Sequence, residues 1–211
     1  MTIDPRVSPR IAAFRVADWL SLVVPGGIAL GLAFGGNAAR LLLRYQRDAL
    51  NEPWRWISAH LVHMNLSHLV LDGTTLVLVW WLFVGSLPAR LWWASFFGAS
   101  LAIDLALWWW HPEIHWYVGL SGVLHGLFAA GVAWSLLARQ PLARWLLLGL
   151  VLKLTWEVLV GPMPWSESAS RGPVVQVAHT YGAIGGALAF GIVCTLNESC
   201  RNRLSVLRAA R

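Results

Sequence analysis

Ser121 lies in the run Gly119-Leu120-Ser121-Gly122-Val123-Leu124-His125-Gly126, within a long apolar stretch, and His179 lies in another. Polar groups in such stretches are costly, so each demands a reason. The candidates are His60, His63, His68, Asp72, Asp104, Ser121, His125, Lys153, Glu157 and His179. A neutral serine hydroxyl is a weak nucleophile, and a base must take its proton as it attacks. Two histidines compete for that role. His125 follows Ser121 by four residues, and helical side chains lean toward the N-terminus, which aims it at the serine. His179 comes from a different stretch. Gly119 and Gly122 leave room for a substrate backbone beside Ser121. An oxyanion formed there needs donors. The Ser121 backbone N–H is one, and the polar run from His60 to His68 offers others. His68 and Asp72, four apart, share a helix face.

These residues must be positioned by membrane-spanning helices. The chain has 211 residues, of which 57% are hydrophobic and 12% charged. A soluble domain carries roughly twice that charge. Six stretches read as spans of about 20 mainly apolar residues: Trp19 to Ala39, Ile57 to Phe83, Leu91 to Trp110, Ile114 to Leu137, Leu142 to Val160 and Val174 to Leu196. Gly122, Gly126 and Ala130 form a small-residue stripe on the fourth span. Ala178, Gly182 and Gly186 form one on the sixth. Such stripes let helix backbones approach closely. If they face each other, Ser121 and His179 flank the contact, both roughly 8–11 Å along their helices. The stripes favour His179 as base, with His125 packing against or orienting it. Lys153 and Glu157 read as an intrahelical ion pair facing the bundle.

Arg6, Arg10, Arg15, Arg90, Arg139, Arg144, Arg201, Arg203, Arg208 and Arg211 fall on one side of these spans. Arg40, Arg44, Arg47, Arg55 and Arg171 fall on the other. Basic loops stay in the cytoplasm, so both termini are expected there. The expected unit is one domain over residues 1–211, with a short N-terminus to about residue 17 and a basic tail from about 197. The first apolar run is too long for a signal peptide. The loop Gly161 to Pro173 is flexible in composition and suits a lid. The paired and tripled tryptophans, Trp54 and Trp56, Trp92 and Trp93, Trp108 to Trp110, read as interfacial belts. Cys194 and Cys200 read as a packing thiol and a tail thiol. The net charge of +6 is scattered over loops and tails, so nucleic acid is not an expected partner.

Gly119-Leu120-Ser121-Gly122 resembles the GxSG motif of rhomboid intramembrane proteases, and Ala178-His179-Thr180-Tyr181-Gly182 resembles their AHxxG motif. Trp54-Arg55 and His63-Met64-Asn65-Leu66-Ser67-His68 resemble their second-helix signature. The resemblance implies an all-α membrane protein, a compact six-transmembrane-helix bundle. It also implies a serine endopeptidase with a Ser121–His179 dyad and no cofactor or metal. His68, Asp72, Gly119, Gly122 and His125 would form or support the oxyanion site. Two positions depart from the pattern. Asp72 stands where the family's HxxxN motif has Asn, and His125 stands where Tyr is common.

These departures and the short loops are most similar to the rhombosortase branch. That likeness implies removal of C-terminal GlyGly-CTERM tails from exported proteins at the bacterial inner membrane, by hydrolysis or by transfer to an amine. The partners would be membrane-anchored substrates with a C-terminal transmembrane tail, and the lipid bilayer. Other readings remain: a general rhomboid protease for single-span substrates, a haem or metal protein using His60 and His63 or His111 and His115, or a non-catalytic membrane escort.

Overall fold

The computed structural model describes residues 15–49, 51–164 and 166–209; Arg6, Arg10 and Arg211 of the expected cytoplasmic set lie outside them. The elements run α1 Val16–Ala33, α2 Gly36–Leu43, β1 Tyr45–Gln46, α3 Arg55–Ser58, α4 Leu66–Phe83, α5 Ala89–Trp110 and β2 Trp116–Tyr117. They continue as α6 Ser121–Leu137, α7 Ala143–Leu159, α8 Ser166–Ser170, α9 Val177–Leu196 and α10 Glu198–Ala209. Helices α1, α4, α5 and α9 are long and apolar enough to cross a membrane, and α6 is a shorter apolar helix. The fifth expected span is α7, 17 residues long and carrying Arg144, Lys153 and Glu157. The all-α membrane architecture follows.

Helix starts differ from the sequence reading for local reasons. The second span begins at Leu66, not Ile57. Asn65 is extended (φ −162°, ψ 175°), and its side chain accepts the His68 backbone N–H at 3.0 Å. This N-cap satisfies a first-turn donor and fixes the start. His60 and His63 thereby fall in the connection before α4. The fourth span begins at Ser121, not Ile114. Residues before it pair β2 with β1, Tyr117 opposite Tyr45 and Trp116 opposite Gln46. Gly119 then turns the chain with φ +120°, a conformation only glycine adopts freely. The first stretch divides into α1 and α2, and the last begins at Val177 in place of Val174.

One end of the bundle is tied by hydrogen bonds between these connections. Arg47 N–H donates to the His115 carbonyl at 3.0 Å, and Gly119 N–H to that of Ala59 at 3.0 Å. Buried Arg55, of the Trp54-Arg55 pair, donates through Nη1 to the carbonyls of Leu41 and Arg44 at 2.9 and 3.0 Å. Asn65 Nδ2 donates to the Ser170 carbonyl at 2.9 Å. The 161–173 segment is thus pinned at α8 to the start of α4.

The core is built on small residues. A Cβ on Gly182 would press on the Gly122 carbonyl, and one on Gly126 would lie 2.6 Å from the Gly182 oxygen. The expected stripes of α6 and α9 do face each other. A parallel device joins α5 to α9, where a Cβ on Gly98 would lie 2.9 Å from the Gly185 oxygen. Close backbone approach of this kind is how helices associate where lipid removes the hydrophobic drive.

By contrast, α7 buries only Ala143 and Glu157. Trp145, Val151, Leu152 and Leu159 are exposed along it, which suits lipid contact. The tryptophan belt is partly corrected. Trp54, Trp109 and Trp110 are exposed, but Trp92 is core and Trp108 carries the Arg47 guanidinium 5.0 Å from its ring. Cys194 and Cys200 are not separate thiols: they form a disulfide, Cα atoms 5.4 Å apart, joining the end of α9 to α10. Six residues of separation across the break at Asn197 bring them together, which a count of cysteines does not convey.

Candidate active site

Ser121 is the first residue of α6 and His179 the third of α9. Their matched depth therefore comes from both helices starting at the same end, not from equal advance along longer helices. The Gly122–Gly182 contact holds these two ends together. Ser121 Oγ lies 3.0 Å from His179 Nε2. On the other side of the ring, His179 Nδ1 lies 2.9 and 3.0 Å from the Glu157 carboxylate oxygens. Lys153 Nζ is 2.7 Å from Glu157 Oε2 and 3.3 Å from His179 Nδ1.

The expected Lys153–Glu157 pair exists, but it is not self-contained. Glu157 is nearly inaccessible, whereas the Lys153 side chain is about a third exposed. The carboxylate thus reaches inward to His179. The sequence signal was an intramembrane carboxylate; its partner on α9 has no sequence signature.

His125 does not reach the Ser121 hydroxyl. Its Nδ1 donates to the Ser121 carbonyl at 2.7 Å, and its ring stacks on His179 with centroids 4.3 Å apart. The back-bonding geometry uses the i−4 carbonyl, a common fate for polar groups on helices. The expectation of a packing His125 fits this position; the rival placement as base does not.

The expected oxyanion side is more crowded. Asp72 Oδ2 accepts the Leu120 backbone N–H at 2.8 Å. The same oxygen is 3.1 Å from His63 Nε2 and 3.4 Å from His68 Nε2. Asp72 is therefore not paired with its helix neighbour His68 alone; it gathers donors from three directions. Gly119 lies under His68, where a Cβ would come within 2.8 Å of Cε1. Tyr117 Oη donates to the Gly119 carbonyl at 2.9 Å and so fixes the turn before Ser121. Gly122 faces the Ala178 carbonyl, 2.9 Å from a notional Cβ, so its contribution is packing.

A cavity of about 290 Å3 opens onto Ser121 and His179. Met64, Leu71, Trp116, Val118 and Val175 give it apolar walls, with Ser166 and Ser170 at the α8 side. Glu113 stands at its rim, where hydrogen bonding from its own backbone N–H and then from His111 holds its carboxyl below the usual carboxylate range.

The histidine spacings considered for metal do not converge. His60 Nε2 faces Asp104 at 3.4 Å, His63 faces Asp72, and His111 bonds Glu113 and approaches the Tyr181 hydroxyl at 3.3 Å. Among the described residues, the group close enough to hold a cation is His125, Glu157 and His179, whose ligand atoms lie within 4.8 Å of one another. Lys153 Nζ already occupies the carboxylate there.

A hydroxyl bonded to an imidazole, at the mouth of an apolar cavity, is equipped for acyl transfer. No curated protein matches the chain. A family profile described as Rhomboid domain matches residues 50–196, a range that includes Ser121, His179 and every side chain in contact with them above. The chain is therefore a multi-pass membrane protein and belongs to the rhomboid family of intramembrane serine peptidases.

Proposed function

We propose that this protein is an endopeptidase that cleaves membrane-anchored substrates near the outer membrane face, with Ser121 as nucleophile and His179 as general base. The observation that carries the reading is the 3.0 Å contact between Ser121 Oγ and His179 Nε2 at the cavity mouth. As Oγ attacks the scissile carbonyl carbon, His179 Nε2 takes the hydroxyl proton and the carbonyl electrons move to oxygen. The intermediate collapses, the C–N bond breaks, and Nε2 returns its proton to the leaving amine. Water then attacks the acyl-serine to give a carboxylic acid, or an amine attacks to give a new amide; either step restores the hydroxyl. His68 Nε2 and the Ser121 backbone N–H are the donors expected to meet the developing oxyanion.

The substrates are exported proteins with a C-terminal tail of a Gly-Gly motif, one hydrophobic helix and a basic cluster. Support comes from the likeness to the rhombosortase branch and from the cavity. A Gly-Gly segment unwinds readily, and the cavity beside Ser121 has the apolar walls Trp116 and Val118. The setting is a bacterial inner membrane with both termini cytoplasmic, supported by the arginine distribution. Arg40, Arg44, Arg47, Arg55 and Arg171 then share the outer end with Ser121.

Labelling with a fluorophosphonate probe in detergent tests the reading. Wild type is expected to label, with labelling lost in Ser121→Ala and nearly lost in His179→Ala. Labelling that survives Ser121→Ala would refute it; survival in His179→Ala with loss in His125→Ala would reassign the base.

A further inference from the structure

We propose that Glu157 is a positioning residue for catalysis, which makes the site a Ser121–His179–Glu157 triad with Lys153 as its counter-ion. The inference rests on the Ser121–His179 reading above and adds a member that a two-residue site lacks.

Both oxygens of Glu157 face one nitrogen, His179 Nδ1, at 2.9 and 3.0 Å. A carboxylate only accepts, so Nδ1 carries the proton. Nε2 is then the unprotonated nitrogen, and it faces the Ser121 hydroxyl at 3.0 Å. The carboxylate thereby selects the one tautomer that can act as base. It also holds the ring in plane with that task, against the stacked His125.

When Nε2 takes the serine proton, the ring becomes a cation. A buried carboxylate already in contact stabilises that charge without reorganisation. Glu157 remains ionised throughout and takes no proton.

Lys153 explains how such a carboxylate persists on α7. A buried charge without a partner is strongly destabilising. The Lys153 ammonium at 2.7 Å neutralises it from the same helix, four residues earlier, and its half-open position leaves the inner face of Glu157 to His179. The 3.3 Å approach of Lys153 Nζ to Nδ1 joins two donors and is proximity enforced by their shared acceptor.

The test compares inactivation kinetics with a fluorophosphonate probe for full-length wild type, Ser121→Ala, Glu157→Gln, Lys153→Met and the double variant Lys153→Met/Glu157→Gln, with thermal melts alongside. Glu157→Gln is expected to lower the maximal inactivation rate on the order of 10^3- to 10^4-fold, with the probe's half-saturation unchanged. An amide presents either an oxygen or an N–H to Nδ1, and the wrong tautomer then competes. The double variant leaves no unpaired charge. It should melt like wild type and be equally slow. Lys153→Met, which keeps the carboxylate and its bond to Nδ1, should lose less than about tenfold in rate but melt below wild type, because Glu157 is left without its counter-ion.

One strongly downfield imidazole N–H proton resonance, assigned to His179 by its loss in His179→Ala, should be present in wild type and Ser121→Ala and lost in Glu157→Gln. A double variant that reacts at the wild-type rate, or a resonance indifferent to Glu157→Gln, would overturn the inference and leave Ser121 as nucleophile. Wild type that does not label, or Ser121→Ala that does, would overturn the proposed function and this inference with it.

Discussion

The rings of His125 and His179 lie 4.3 Å apart and 20° from parallel, while His125 Nδ1 is spent on the Ser121 carbonyl. His125 thus touches both members of the reacting pair without facing the hydroxyl. His125→Phe keeps the stack and loses the hydrogen bond. A loss of about tenfold in fluorophosphonate labelling is expected, on the order of one charge-free hydrogen bond. A loss as deep as that of His179→Ala would show that His125 handles the proton itself.

Asp72 Oδ2 accepts the Leu120 N–H beside Ser121 and lies 3.4 Å from His68 Nε2, a proposed oxyanion donor. An ionised carboxylate repels a developing oxyanion, whereas an amide can donate to it. Asp72→Asn is therefore expected to raise the labelling rate by a few-fold. A tenfold fall would mean that the carboxylate, through His63 and His68, serves the active geometry.

The small-residue contact between α6 and α9 sets the Ser121–His179 distance. A methyl at Gly182 would meet the Gly122 carbonyl, but one at Gly191 would meet nothing within 4 Å. Gly182→Ala should destabilise by about 1–3 kcal/mol through overpacking and slow labelling by roughly 10^2-fold, since misplacement near 1 Å has that effect. Gly191→Ala should do neither. Melting temperature and labelling rate, measured together, check the contrast.

Chelators should leave labelling unchanged. The His125, Glu157 and His179 atoms are close enough for a cation, but the Lys153 ammonium and the Nδ1 proton already satisfy Glu157. Excess Zn2+ should slow labelling by displacing them, and a chelator should reverse that. Loss of activity on metal removal from untreated protein would contradict the proton-transfer scheme.

Cys194 and Cys200 are bonded at the bundle end opposite Ser121. If the termini are cytoplasmic, that end faces a reducing compartment where disulfides are rare. Thiols trapped in intact cells should be alkylated at both positions, and protein purified in air should resist alkylation until reduced. Blocked thiols in cells would reverse the assigned orientation.

Much of this arrangement was legible in the sequence because it depends on spacing. Gly122 and Gly126 against Gly182 and Gly186 foretold the α6–α9 contact, and with it the meeting of Ser121 and His179. The errors came where one residue overrides an apolar pattern. Asn65 caps α4 and Gly119 turns the chain into α6, so both helices start later than hydropathy suggests. Glu157 was visible as a charge four residues from Lys153, and that nearer partner hid the farther one. Contacts between helices distant in sequence follow from packing angles that residue periodicity does not specify.

Helix α7 offers the bundle only Ala143 and Glu157 as buried side chains. Near the site its hold on the rest of the protein therefore includes the hydrogen bond proposed to set the His179 tautomer. Any outward swing of α7 breaks that bond and disarms the imidazole in one movement. If α7 is the wall displaced to admit a substrate, it must return before the proposed Ser121–His179 pair can act, so an open, water-flooded site would be chemically idle and cutting confined to the moment of enclosure.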